Sequence, residues 1–204
     1  SYGSGTLILG HNSKHLKKSL NNIIKNNISL YSEPNIQANL FGKTLKKINK
    51  HYEKFIFCNS GTEAVFKALR IAKAISKKDI IVSVTGSWHG SADKLLFHKR
   101  KGKILPISDG LSDSDRKNIK IIDYNDIDKS KKILNKFKNK ISCIIIEPIQ
   151  GCLPDPQVKE YLEFLSNFSK KNNCILIFDE IITGLRTKNG SVQNFYNIKP
   201  DISL

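Results

Sequence analysis

The sequence predicts an α/β fold, a mainly parallel sheet with helices on both faces, and three observations carry that prediction. Short apolar runs alternate with amphipathic stretches along most of the chain. Two of those runs, ISCIII at 141–146 and CILIF at 174–178, are apolar almost throughout, as strands covered on both sides must be. Acids and glycines stand immediately after the runs, where open parallel sheets place their ligands.

The elements follow in order. Residues 12–26 set Leu16, Leu20, Ile23 and Ile24 at helical spacing, and residues 35–50 do the same with Ile36, Leu40, Thr44 and Ile48. Both read as helices that lie at the edge of the sheet or form a small N-terminal lobe. Residues 54–58 (KFIFC) read as a strand, and 62–75 as a helix burying Val65, Ala68, Leu69 and Ala72. Strands are predicted at 79–84 (DIIVSV), 120–123, 141–146 and 174–178, with helices at 127–137 and 158–171. Residues 98–118 are polar and patternless, and read as a long functional or mobile loop. The expected organisation is an N-terminal helical segment over 1–50 and a single large domain over 51–204.

The chain has 204 residues, enough for a real core without metals or disulfides. It contains no methionine, opens on SYGSG and stops as an apolar run begins, so both ends are expected to be cut from a longer protein. The formal charge of +16 raises a nucleic-acid partner. However, only Arg70, Arg100, Arg116 and Arg186 are arginines, and the lysines are scattered over every segment rather than gathered on one stripe. Lysine, asparagine and isoleucine are over-used together, which fits AT-rich coding and argues against a nucleic-acid partner. Cys58, Cys143, Cys152 and Cys174 show no CxxC spacing, so the expected setting is a reducing cytoplasm. No stretch reaches the roughly 20 apolar residues of a membrane span, and no metal-ligand spacing is present.

Four motifs fall at predicted strand ends. Asn59-Ser60-Gly61-Thr62-Glu63-Ala64 opens a helix: Ser60 or Thr62 can cap it, Gly61 admits a close ligand, and the free amides make an anion cradle. The bland alternative is an ordinary capped helix start. Gly86-Ser87-Trp88-His89-Gly90 holds the only tryptophan, an indole able to stack on a flat ring or to plug the core's edge. His89 reads as a ligand contact or as a satisfied donor to a carbonyl. Glu147, in EPIQG, follows six nearly apolar residues and needs a partner. Asp179 leaves CILIF in the same way, beside Glu180 and with Arg186 near enough in sequence to pair with either.

An anion cradle, a stacking aromatic and a buried acid match pyridoxal 5′-phosphate (PLP), whose ring nitrogen works best protonated. Neither GxGxxG nor GxxxxGK[ST] is present to support a nucleotide. The order SGTEA, WHG, EPIQG, FDEIITGLR and a Pro-Asp pair resembles the class III aminotransferases of fold type I, over essentially the whole chain. Within that group it is most similar to the glutamate-1-semialdehyde 2,1-aminomutases. The resemblance implies the large domain of a cytoplasmic, homodimeric PLP-dependent aminotransferase or aminomutase acting on a small amino or carbonyl substrate. It implies that the Gly61 and Thr62 backbone, with Ser60 beside them, holds the phosphate, that Trp88 stacks on the ring, that Glu147 is a structural or substrate-side acid near it, and that the catalytic Asp179 pairs with the ring nitrogen. His89, next to Trp88, is read from its own position as a further cofactor contact. Residues 98–118 fall where the aminomutases carry a gating loop.

Three positions depart from the family pattern. Ile182 stands where many ω-aminotransferases have glutamine, which favours the aminomutase side. Trp88 replaces a usual tyrosine or phenylalanine, and Cys152 replaces a frequent asparagine. The family's Schiff-base lysine is expected beyond residue 204, so no lysine here is assigned that role and this chain by itself is expected to be inactive. The rival reading is a non-catalytic relative with a binding or regulatory role.

Overall fold

The computed structural model describes residues 5–28 and 35–204. Ser1 to Ser4, the start expected to be mid-domain sequence, lie outside them. The chain divides into two units, the first ending at Phe57 and the second spanning Cys58–Leu204.

In the first unit both expected helices form, α1 (Lys14–Lys25) and α2 (Ile36–Ile48). Asn35 caps α2, its side-chain oxygen accepting from the Ala38 amide at 2.7 Å. Neither helix contains a fully buried residue, and Leu16, Leu20, Ile24, Ile36 and Leu40 are all exposed. The predicted strand at 54–58 is not one. The segment runs without joining either sheet, and Ile56 is 62% exposed. Aromatic and β-branched residues favour a strand only where neighbours offer a pleated surface to pack on. Phe57 instead stacks on Phe41 of α2, with ring centroids 5.6 Å apart.

The second unit opens with α3 (Gly61–Ser76) and β1 (Ile80–Val84). A 3-10 turn at Asp93–Leu95 leads into β2 (Phe97–Arg100) and β3 (Lys103–Pro106), followed by the short α4 (Asp113–Arg116). Then come β4 (Ile119–Ile122), α5 (Ile127–Phe137), β5 (Ile141–Ile146), α6 (Lys159–Asn172), β6 (Ile175–Phe178), α7 (Val192–Tyr196) and β7 (Ile202–Ser203). The main sheet has the order β4-β1-β5-β6-β7 and every pairing in it is parallel. One core, containing Leu134, Tyr161, Leu162 and Leu165, joins α5 and α6 to one face of the sheet. The other contains Val65, Ala68, Leu69 and Ala72, the four residues expected on the buried side of α3. The predicted fold class is the observed one.

Residues 98–118 are not a patternless loop. β2 and β3 form an antiparallel hairpin joined by a two-residue turn, with Lys101 at φ 47° and Gly102 at φ 77°. Positive φ at both central positions matches the twist of the flanking strands. The alternation is hidden in the sequence because charge stands on both faces: His98 and Arg100 are exposed, while Lys99 shares the face of Phe97, which is buried in the second core. α4 carries a full capping box between Ser112 and Asp115.

Candidate active site

The sheet order creates the site. From β1 the chain moves out to β4, then returns to the other side of β1 as β5 and continues outward through β6 and β7. The direction reverses between the adjacent strands β1 and β5, and the loops leaving two such strands part to open a crevice. Those loops are 85–91, carrying Trp88 and His89, and 147–152, carrying Glu147. β6 neighbours β5 and delivers Asp179 to the same end.

The start of α3 is built as expected, with a division of labour. Ser60 is the cap, its Oγ accepting from the Glu63 amide at 3.2 Å, while the Glu63 carboxylate accepts from the Asn59 amide at 2.7 Å. The amides of Gly61 and Thr62 lie in the open first turn, where no intrahelical acceptor exists. Thr62 is not a cap: its Oγ1 accepts from the Ser91 amide at 3.1 Å and so ties the tryptophan loop to the helix. Gly90, at φ 70°, lies so close that a Cβ there would collide with Thr62. Gly61 lies against Ile181, and an added Cβ would sit 2.6 Å from its Cδ1. The helix start therefore touches both the tryptophan loop and the segment after Asp179.

Asp179 is buried, and its Oδ2 lies 2.7 Å from Nδ1 of the equally buried His89. Its Oδ1 accepts from the Ile181 amide at 3.2 Å. His89, and not Arg186, is the group that faces the acid; Arg186 donates to the carbonyls of Ile182 and Gly184. Nε2 of His89 is buried and has no hydrogen-bond partner among the described residues.

Glu147 is buried as well, and both of its oxygens are engaged. Oε1 accepts from the Trp88 amide at 2.7 Å and Oε2 from the Gly151 amide at 2.9 Å. The Trp88 side chain is 61% exposed, so the indole is not a plug in the core. Two features escaped the sequence reading. Gln150 is buried and donates to the Thr85 carbonyl at 2.7 Å, a pairing across 65 residues that no local signal reveals. Glu180 accepts from the Val192 amide at 2.5 Å and the Gln193 amide at 3.2 Å, holding the start of α7. Burial pushes its pKa above the ordinary carboxylate range, although these donors pull the other way.

All four motifs thus meet at one end of the sheet. Residues 2–204 match the family described as aminotransferase class-III. The chain belongs to that family. This class-III aminotransferase chain is 35% identical over 207 residues to the glutamate-1-semialdehyde 2,1-aminomutase of Methanosphaera stadtmanae, covering 98% of the chain and 48% of that protein. A solved transaminase with PLP bound superposes with a TM-score of 0.87 at 25% identity, over 98% of the chain and 47% of its own length. The ω-transaminase from Sphaerobacter thermophilus shares the fold with a TM-score of 0.91 at 22% identity, over 99% of the chain and 48% of that structure. The chain spans about half the length of the curated relatives it matches.

Proposed function

We propose that this chain supplies the cofactor-binding part of a cytoplasmic, homodimeric, PLP-dependent enzyme that transfers an amino group on a small substrate, in the manner of a glutamate-1-semialdehyde 2,1-aminomutase. The observation that carries the reading is the buried Asp179–His89 pair at 2.7 Å, set at a strand end where Ile181, just beyond the acid, packs on Gly61 in the open turn of α3. A buried carboxylate held only by an imidazole and one main-chain amide, with a ring nitrogen left over on that imidazole, is a costly arrangement without a ligand. It fits a cationic heteroaromatic nitrogen. The buried thiols of Cys143 and Cys174 are in no disulfide, which fits a reducing compartment.

Pyridoxal phosphate, when bound, supplies an electron sink for the bond broken at the substrate's amino carbon. The residues of this chain would do the following. The Gly61 and Thr62 amides, with Ser60 fixing the helix start, would bind the phosphate at the positive end of the α3 dipole. Trp88 would cover one face of the ring and exclude water from it. Asp179 would hold a proton at the ring nitrogen, and His89 would orient the Asp179 carboxylate. The proximity of His89 to the acid makes its effect indirect, through Asp179.

The test uses the full-length protein. Purified enzyme is expected to carry a visible absorption band that glutamate-1-semialdehyde bleaches and then restores without any added keto acid. A protein that binds no PLP when mixed with it would end the proposal. A requirement for a separate keto acid would instead make the enzyme a transaminase.

A further inference from the structure

The indole of Trp88 has little to rest against: the side chain is largely exposed and makes no ring contact among the described residues. Its backbone, in contrast, is gripped. The segment after β5 reaches back to every residue from 85 to 88. Gln150 Nε2 donates to the Thr85 carbonyl at 2.7 Å and lies 3.3 Å from Ser87 Oγ. Cys152 Sγ donates to the Gly86 carbonyl at 3.1 Å. Glu147 accepts from the Trp88 amide at 2.7 Å and is itself locked by the Gly151 amide at 2.9 Å. Contact is close enough that a Cβ on Gly86, which also sits at φ 82°, would come within 2.9 Å of Gln150 Oε1.

We infer that residues 147–152 are a clamp on the turn 85–88, and that Glu147 is a positioning residue which sets the pose of Trp88 rather than a group that touches the cofactor. The inference deepens the proposed PLP site and rests on it for its functional consequence. Three physical points support it. Both carboxylate oxygens accept charge-assisted bonds from main-chain amides, which commits the group to the loop scaffold. One bond crosses to the Trp88 amide and the other, from Gly151, fixes the carboxylate on its own loop, so their loss releases the turn carrying the indole. The remaining ties, from Gln150 and Cys152, act on neighbouring carbonyls of the same turn, so the three side chains work on one object.

The test combines Glu147→Gln, Gln150→Leu, Cys152→Ala and Cys152→Ser in the full-length protein. Near-ultraviolet circular dichroism is recorded without cofactor, and subtracting the spectrum of Trp88→Phe isolates the signal of this indole. Glu147→Gln places an amide N–H2 against one of the two backbone donors, so it is expected to abolish most of the Trp88 signal and to weaken PLP binding about ten-fold. The bound cofactor should keep its absorption maximum, because Asp179 is untouched. Gln150→Leu and Cys152→Ala should lower the signal less, and Cys152→Ser, which keeps a donor, should restore it. Variants that fold yet show the wild-type indole signal would overturn the clamp, as would a Glu147→Gln enzyme whose cofactor maximum shifts while the indole signal stays. If the wild-type protein binds no PLP, the proposed function fails while the cofactor-free spectra still decide the clamp.

Discussion

Glu147 and Asp179 leave two adjacent buried strands, β5 and β6, at the same end of the sheet, yet they have different work. Glu147 gives both oxygens to main-chain amides of Trp88 and Gly151. Asp179 gives one oxygen to an imidazole whose far nitrogen has no partner, and the other to the amide two residues on. The two acids share one sequence signature, a carboxylate after an apolar run. Their difference teaches that the signature marks a site without assigning a role, and that the partner decides whether an acid builds the site or acts in it.

Replacing Asp179, the acid proposed to face the ligand, should have the largest effect on chemistry. Asp179→Ala in the full-length enzyme is expected to retain bound PLP but to lower the rate of amino transfer on the order of a hundred-fold, read by following product and visible absorption together. Activity equal to wild type would erase the contrast between the two strand ends.

A second acid, Glu180, sharpens the comparison because it follows Asp179 directly but serves α7. Glu180→Ala strands the buried amides of Val192 and Gln193, so thermal or urea unfolding should show a loss of about 3 kcal/mol. The cofactor spectrum of the folded fraction should be unchanged. Because burial raises its folded pKa, this group favours the native state below the ordinary carboxylate value and loses that contribution as pH rises through the raised one. Stability measured against pH should therefore lose that downward step in Glu180→Gln.

The smallest effect is expected from Ser60→Ala, which removes the cap of α3 and should cost about 1 kcal/mol in unfolding experiments. A loss far larger than this, with PLP affinity destroyed, would show that Ser60 binds the phosphate itself.

Much of this was legible in the residues. The uninterrupted runs gave β5 and β6 their buried places, and the spacing of Val65, Ala68, Leu69 and Ala72 gave the covered face of α3. The strand ends carrying Trp88, Glu147 and Asp179 followed from those. The misreadings have physical causes. KFIFC has the composition of a strand but joins no sheet here, and the hairpin at 97–106 has a sheet's alternation masked by charges. The partnerships of His89 with Asp179 and of Glu147 with Trp88 bridge 90 and 59 residues, and are products of topology rather than local pattern.

The ties between the two crevice loops run almost wholly to main-chain atoms: the Thr85 and Gly86 carbonyls and the Trp88 amide. Such a grip is indifferent to which ring projects from position 88. Swapping the indole for a phenol or a phenyl leaves the scaffold beneath it intact, so the surface offered to a bound molecule can be retuned at a single codon while the architecture that aims it stays fixed.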